Sequence, residues 1–293
     1  MTPKQRGVLL VAFGAVMFSA KAIVIKLAYT NFEVDDITLL TLRFGFALPF
    51  FAIIAAWRYH KGLFKGISKK DWGIIALLSM LGYYIASWFD FMGLQYITAG
   101  LERIILFIYP TLVVLFSRLF LGKTISRKAL IALGITYLGV FIIALDPHIF
   151  EAENVIKGGS MILVSAVTYA LYLVFGGEQI NKYGSINFNS IAMLFSSVYV
   201  VLHFTAFSET SITELPAGLY GYGIVLAIFC TVLPTFMVME GIKLLGANLG
   251  SIVASFGPVS TIFLGYIFLG ETFTVQELAG SAFVIVGVVL IGK

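Results

Sequence analysis

Charge is scarce in this chain: only 12% of its 293 residues are Asp, Glu, Lys or Arg, against about a quarter in an ordinary soluble domain. Cysteine occurs once, as Cys230, which excludes an intrachain disulfide and reads as a small packing residue in an apolar stretch. Histidine occurs three times, scattered as His60, His148 and His203, and no HExxH, CxxC, GxSxG or Walker A spacing is present, so the familiar metal, nucleophile-elbow and ATP-hydrolysing sites have no anchor here. Neither an enzyme nor a cofactor is expected. Low-complexity and Ser/Pro-rich linkers are also missing, and the longest non-apolar stretch, Asp146 to Lys157, is only a short joining loop.

What fills the space is apolar. Hydrophobic residues make up 60% of the chain and the mean hydropathy is +1.00, so the surface suits a bilayer rather than water. Ten apolar stretches can be marked at approximately 7–29, 37–57, 72–95, 98–120, 127–145, 158–178, 188–207, 217–241, 247–269 and 274–292. Most are near the ~20 residues that cross ~30 Å of hydrocarbon as a helix. Backbone groups in lipid must bond internally, so an all-helical bundle is expected.

The chain also repeats itself. Slid by 148 positions, Gly93-Leu-Gln-Tyr-Ile-Thr-Ala99-Gly-Leu101 falls on Gly241-Ile-Lys-Leu-Leu-Gly-Ala247-Asn-Leu249. At that offset Ile104 meets Ile252, Pro110 meets Pro258, Phe120-Leu-Gly122 meets Phe268-Leu-Gly270, Thr124 meets Thr272, Leu130 meets Leu278, and Gly139-Val140 meets Gly287-Val288, twelve identities in all. The glycines and the proline among them are not explained by shared apolarity. A fainter match joins Gly7–Ile23 to Gly158–Val174, so the first stretch reads as the first helix of a repeat rather than a signal peptide, despite Lys4, Arg6 and a loose Phe18-Ser19-Ala20 cleavage pattern. Two repeats are expected, 1–148 and 149–293, and tandem halves are the usual build of a secondary transporter; a membrane-embedded enzyme or a non-transporting membrane sensor is the alternative.

Lysine and arginine set the orientation. With the N-terminus inside, the inner segments hold Lys4, Arg6, Arg58, Lys61, Lys65, Lys69, Lys70, Arg118, Lys123, Arg127, Lys128, Lys182, Lys243 and Lys293, while acids such as Glu33, Asp35, Asp36, Glu209 and Glu214 fall outside. Both termini are then cytoplasmic, in the inner membrane. Five spans per half make the repeats inverted. The net charge of +4 becomes a matter of topology, and nucleic acid is not expected as a partner.

Two copies of one pattern resemble the EamA-type family of the drug/metabolite transporter superfamily. The carriers are Ala99-Gly-Leu101, Pro110, Phe120-Leu-Gly-Lys-Thr124 and Gly139 in the first copy, and Ala247-Asn-Leu249, Pro258, Phe268-Leu-Gly-Glu-Thr272 and Gly287 in the second. The resemblance implies a carrier of small polar or amphipathic metabolites such as amino acids, often an exporter, working from a central cavity lined by helices 1, 3, 4, 6, 8 and 9. A coupling proton or counter-substrate, and a monomer or homodimer in the bilayer, go with that expectation. Lys123 and the pair Glu102-Arg103 depart from the family pattern.

Charges buried in apolar stretches are costly, at least about 2.5–3.5 kcal/mol each at mid-bilayer. Lys21, Arg43, Asp90, Glu102 and Arg103 converge on the outer half of the first repeat, with Lys26 nearby. Two readings stay open: a vestibule whose surplus positive charge meets an anionic group, or two internal ion pairs that hold helices together. Tyr83, Tyr84, Trp88, Tyr109, Tyr169 and Tyr172 can stack on a ligand or simply pack, while Trp57 and Trp72 suit an interfacial belt. Thr231, Thr235, Glu240, Asn248, Ser251 and Ser255 are the polar spots of the second half; His203 reads as a packing histidine. The expected substrate-binding set is Lys21, Tyr83, Trp88, Asp90, Arg103, Tyr109, Tyr169, Tyr172, Asn248 and Ser251. Pro110 and Pro258 are candidate gate pivots or static bends, and Gly246 with Gly250, and more loosely Gly134 with Gly139, suit close helix contact.

Overall fold

The computed structural model of the protein describes residues 1–145, 154–254, 256–270 and 274–292, and of Ser251, Pro258, Glu277, Val288, Val289, Ile291 and Gly292 the backbone alone. The expected division at 148/149, and Ser255, lie outside the described residues. Ten helical rods follow one another: α1 Pro3–Asn31, α2 Asp36–His60, α3 Lys69–Tyr96, α4 Ala99–Leu121, α5 Arg127–Ala144, α6 Val155–Tyr183, α7 Ser185–Phe207, α8 Ala217–Leu245, α9 Ala247–Leu269 and α10 Val275–Gly292. Among the described residues, α1 to α9 are long and apolar enough to cross a membrane, and α10 holds the apolar stretch Leu278–Gly287. Five helices per half put the start of α6 on the face where α5 ends, so the halves are inverted repeats.

Helix ends follow local chemistry. Thr2 accepts the Gln5 N–H at 3.2 Å while the Gln5 side chain accepts the Thr2 N–H at 2.9 Å, a capping box that starts α1 before its apolar run. Thr98 caps α4 through the Leu101 N–H at 3.2 Å, which divides α3 from α4 where apolarity scarcely dips. Gly246, at φ 81°, makes the equivalent turn between α8 and α9; glycine, with no Cβ, adopts that backbone without the strain an L residue would meet.

The repeat extends to irregularities that sequence patterning did not indicate. Met80–Ile85 of α3 and Ile228–Val232 of α8 are π-helical, and they begin at positions 148 apart. Both α4 and α9 are interrupted: α4 consists of Ala99–Leu106 and Tyr109–Leu121, α9 of Ala247–Ala254 and Gly257–Leu269. Pro110 and Pro258 occupy the first turn of the second segment in each case, where proline's missing N–H has no partner to lose. The helices therefore break one turn before the prolines rather than kinking at them.

Close crossings between the halves are symmetric as well. A Cβ on Gly93 of α3 would meet Ile162 at 2.5 Å and the Gly158 carbonyl of α6 at 3.0 Å, and one on Gly241 of α8 would meet Val11 at 2.3 Å and the Gly7 carbonyl of α1 at 2.9 Å. Helices α5 and α10 meet in the same way, with Gly139 and Gly280 against each other's carbonyls. Gly134 faces open space, so it takes no part in that contact; Gly250 packs against Ile242 of the preceding helix.

Candidate functional site

An internal cavity of about 100 Å³ lies where the halves meet. Its walls come from α1 (Ala15, Phe18, Lys21), α3 (Gly82, Tyr83, Ala86, Ser87, Asp90), α4 (Arg103, Leu106, Phe107, Tyr109), α6 (Ser165, Tyr169), α8 (Val238) and α9 (Ala254, Gly257), with Arg43 reaching in from α2. These are the six helices expected to line it, joined by one residue of a seventh. The volume is below the ~300–1,000 Å³ of typical ligand pockets.

Deep burial forces every charge to find an opposite charge or a dipole. Lys21 Nζ lies 2.5 Å from Asp90 Oδ2, and the carboxylate side chain is 1% exposed. Arg103 Nε lies 3.1 Å from Glu102 Oε2, on adjacent residues of α4, and an Arg103 terminal nitrogen donates to the Phe18 carbonyl of α1 at 2.7 Å. Arg43 donates through Nε to Thr231 Oγ1 at 2.6 Å and through a terminal nitrogen to Ser87 Oγ at 3.1 Å. Its guanidinium also lies over the Phe44 and Phe91 rings, 5.2 and 5.6 Å from their centroids, a favourable placement for a desolvated cation. Thr231 belongs to the π-helical turn of α8, so one half's cation is held by the other half's irregular backbone. Lys26 donates to the Leu94 carbonyl at 3.0 Å, near the C-terminal end of α3.

Both sequence readings of the charges find a counterpart. Two ion pairs do form, yet Lys21, Arg43 and Arg103 all line the cavity beside Asp90. Among the lining residues three cations face one acid, Asp90; Glu102, fully buried beside Arg103, is not part of the lining. Tyr83 and Tyr109 also line it, and Tyr109 meets Tyr169 edge to face with centroids 5.3 Å apart.

Other expected site residues lie elsewhere. Tyr172 is fully buried behind the wall, between Tyr83 at 5.0 Å and Phe188 at 5.6 Å, and its ring fills the space beside Gly82. Trp88 points away from the cavity: its Nε1 donates to Asp36 at 2.8 Å, and its ring lies 4.3 Å from that of His203. His203 in turn takes part in a 3.1 Å hydrogen bond between Nδ1 and the Tyr84 hydroxyl, so it is a packing residue of this aromatic cluster. Asn248 sits at the start of α9, outside the lining, and the side chain of Ser251 is not described. Sequence reasoning omitted Arg43 from the set, along with Phe18, Ser87, Leu106, Ser165 and Val238. The repeat was the signal that could have found some of them, because Asp90 and Val238, Leu106 and Ala254, and Tyr109 and Gly257 are all 148 apart and all line the cavity.

Polar contacts tie the halves at both ends of the bundle. At the end holding the N-terminus, Asp71 of α3 accepts from Lys182 Nζ at 2.7 Å and the Tyr183 hydroxyl at 2.6 Å on α6. Arg58 donates to Asn187 Oδ1 at 2.6 Å, and Lys123 pairs with Glu178. At the opposite end Lys157 donates to the Tyr96 hydroxyl at 2.8 Å and Asn31 to the Tyr222 hydroxyl at 3.0 Å.

Ten helices in inverted halves around a charged cavity define a membrane carrier, and comparison with known proteins agrees. The sequence matches the EamA-like transporter family twice, over residues 5–145 and 156–293. The chain belongs to that family, and is a multi-pass membrane transporter. It is 31% identical over 290 residues to the uncharacterized transporter YcbK of Bacillus subtilis (strain 168), covering 96% of this chain and 92% of that one. An uncharacterized transporter of Archaeoglobus fulgidus is 27% identical, covering 97% of this chain and 96% of the other. A solved crystal structure shares the fold with a TM-score of 0.74 at 15% identity, over 97% of this chain and 95% of that one.

Proposed function

We propose that the protein is a secondary active or exchange transporter that exports small amphipathic metabolites bearing a carboxylate, amino acids among them, by alternating access. The observation that carries this reading is the cavity at the junction of the inverted repeats, where Lys21, Arg43 and Arg103 line the wall beside a single acid, Asp90. In a site of low dielectric a surplus cation favours an anionic group, while Phe18, Leu106, Tyr109 and Tyr169 offer apolar and aromatic surface to the rest of the molecule. Lys21, Asp90, Arg103, Tyr83, Tyr109 and Tyr169 are the residues assigned to substrate in this reading. The polar contacts at the two ends supply gates: opening at the N-terminal end requires Asp71 to release Lys182 and Tyr183, and opening at the other requires Tyr96 to release Lys157. Orientation with both termini in the cytoplasm of an inner membrane follows from the lysine and arginine distribution. Repeat boundaries at 148/149, a bilayer-embedded monomer or homodimer, and a proton or counter-substrate as driving partner complete the proposal.

Counterflow decides it. Liposomes holding only the purified protein are loaded with unlabelled amino acids, sugars, nucleotides or organic anions, and uptake of the matching label is followed. Transient accumulation of a carboxylate-bearing compound is expected. Accumulation of neutral compounds alone, or of none, overturns the reading.

A further inference from the structure

We infer that Asp90 and Glu102 form one proton-binding site, in which a single proton is shared between the two carboxyl groups. The two are within hydrogen-bonding reach of each other and are 1% and 0% exposed. Among the described residues Asp90 Oδ2 has Lys21, but Asp90 Oδ1 and both Glu102 oxygens are buried without a hydrogen-bond donor. Arg103 Nε is close to Glu102 Oε2 yet does not point its N–H at it. Two ionised carboxylates placed side by side in a dry interior repel, and neither can donate to the other. One proton removes both difficulties: carried by Glu102, it makes an O–H that donates to Asp90 Oδ1 and leaves Asp90 the anion for Lys21.

The surroundings support this placement and give the proton a consequence. Ionisable groups near the pair are Lys21 and Tyr29 on α1, Arg43 on α2, Tyr83 on α3, Arg103 and Tyr109 on α4, Tyr169 on α6 and Cys230 on α8. Arg103 is the group that responds. Arg103 donates to the Phe18 carbonyl, which ties α4 to α1. When the proton leaves, the Glu102 carboxylate becomes a charged acceptor one residue away, and the guanidinium, with further N–H donors to offer, is drawn toward it. Proton occupancy thereby changes the pull on the residue that links α1 and α4. As the coupling site of a transporter this rests on the function proposed above; as a proton site it stands by itself.

Infrared spectroscopy of the protein in liposomes tests it without any substrate. At neutral pH the wild type is expected to show a protonated carboxylic-acid C=O stretch that shifts in D₂O and is lost in Glu102→Gln. Absence of the band from the wild type, or its full retention in E102Q, overturns the inference. Thermal unfolding in detergent supplies a second measurement. Because the folded state holds a proton that the unfolded chain releases once pH rises above the ordinary carboxylate value of about 4.3, wild-type stability should fall as pH is raised from there, and that fall should be smaller in E102Q. Equal pH dependence in the two proteins counts against the site. If E102Q does not fold, Glu102→Asp serves instead, with a displaced band expected and an unchanged band overturning the claim.

Discussion

The two halves of this protein share a backbone and differ in chemistry. Their π-helical turns, broken helices, first-turn prolines and left-handed terminal glycines, Gly122 and Gly270, all coincide at one offset of 148. Side chains at the same offset do not. Asp90 corresponds to Val238, Glu102 to Gly250, Arg103 to Ser251 and Tyr109 to Gly257. Lys21 corresponds to Tyr172 at the slightly longer offset of 151 that matches α1 to α6. The first half thus brings the charge and the second brings small or apolar surface to the same cavity. Inverted repeats need equivalent backbones if the two gates are to open by equivalent movements. Nothing requires equivalent side chains in the cavity, so one half carries the charge while the other keeps its shape.

The largest expected effect breaks the charged side of that contrast. Asp90→Ala leaves Lys21 buried without its carboxylate and should lower stability by about 3–5 kcal/mol, whereas Val238→Ala, its counterpart, removes only methyl groups and should cost about 1–2 kcal/mol. Denaturant unfolding of the purified proteins measures both; equal losses would show that the Lys21 pair is not a buried charge site. Lys21→Ala comes next, read by counterflow. We expect exchange to fall at least about tenfold, equivalent to ~1.4 kcal/mol, while Tyr172→Phe, at the equivalent place, stays within about twofold. Parental exchange by the Lys21 variant would make that lysine structural at most. Smaller still is the link between halves made by Arg43 and Thr231. Arg43→Met and Thr231→Val should each be destabilising, and the double variant should fall short of their sum by about 1 kcal/mol. Strict additivity would mean the 2.6 Å contact contributes nothing.

Much of the architecture is visible in the sequence because membrane helices and repeats are written in composition and spacing. The ten spans, the inverted halves and the clustering of Lys21, Arg43, Asp90 and Arg103 all follow from apolar run lengths and from charges out of place. Geometry around the cavity is less visible for a physical reason. Helical position gives depth, but the direction of a side chain depends on rotation and local winding. Trp88 is one half-turn from Asp90, and the π-helical turn at Met80–Ile85 just before it alters the register that a regular α-helix would give. Apolar walls such as Val238 and Leu106 carry no chemical signature at all; they resemble every other aliphatic residue until a neighbour is known. Arg43 was conspicuous as a charge, but its partner Thr231 lies in the other half and on an irregular turn, beyond what linear spacing can pair.

The smallest expected effect concerns the prolines, where the two halves should behave alike. A proline inside a helix removes a hydrogen bond and costs about 3 kcal/mol. Pro110 and Pro258 instead begin the second segments of α4 and α9, where that cost does not arise. The breaks also have their own supports: the Phe107 carbonyl accepts the Tyr137 hydroxyl at 3.2 Å, and the Gly257 carbonyl accepts Ser19 Oγ at 3.0 Å. Pro110→Ala and Pro258→Ala should therefore each change stability by less than about 1 kcal/mol and leave counterflow within about twofold. A pivot would behave differently, since alanine would let the helix run on and stiffen the gate: exchange would then drop severalfold while stability rose. Such a drop in one variant alone would assign the moving gate to that half, and would show that the symmetry of the backbone does not extend to its motion.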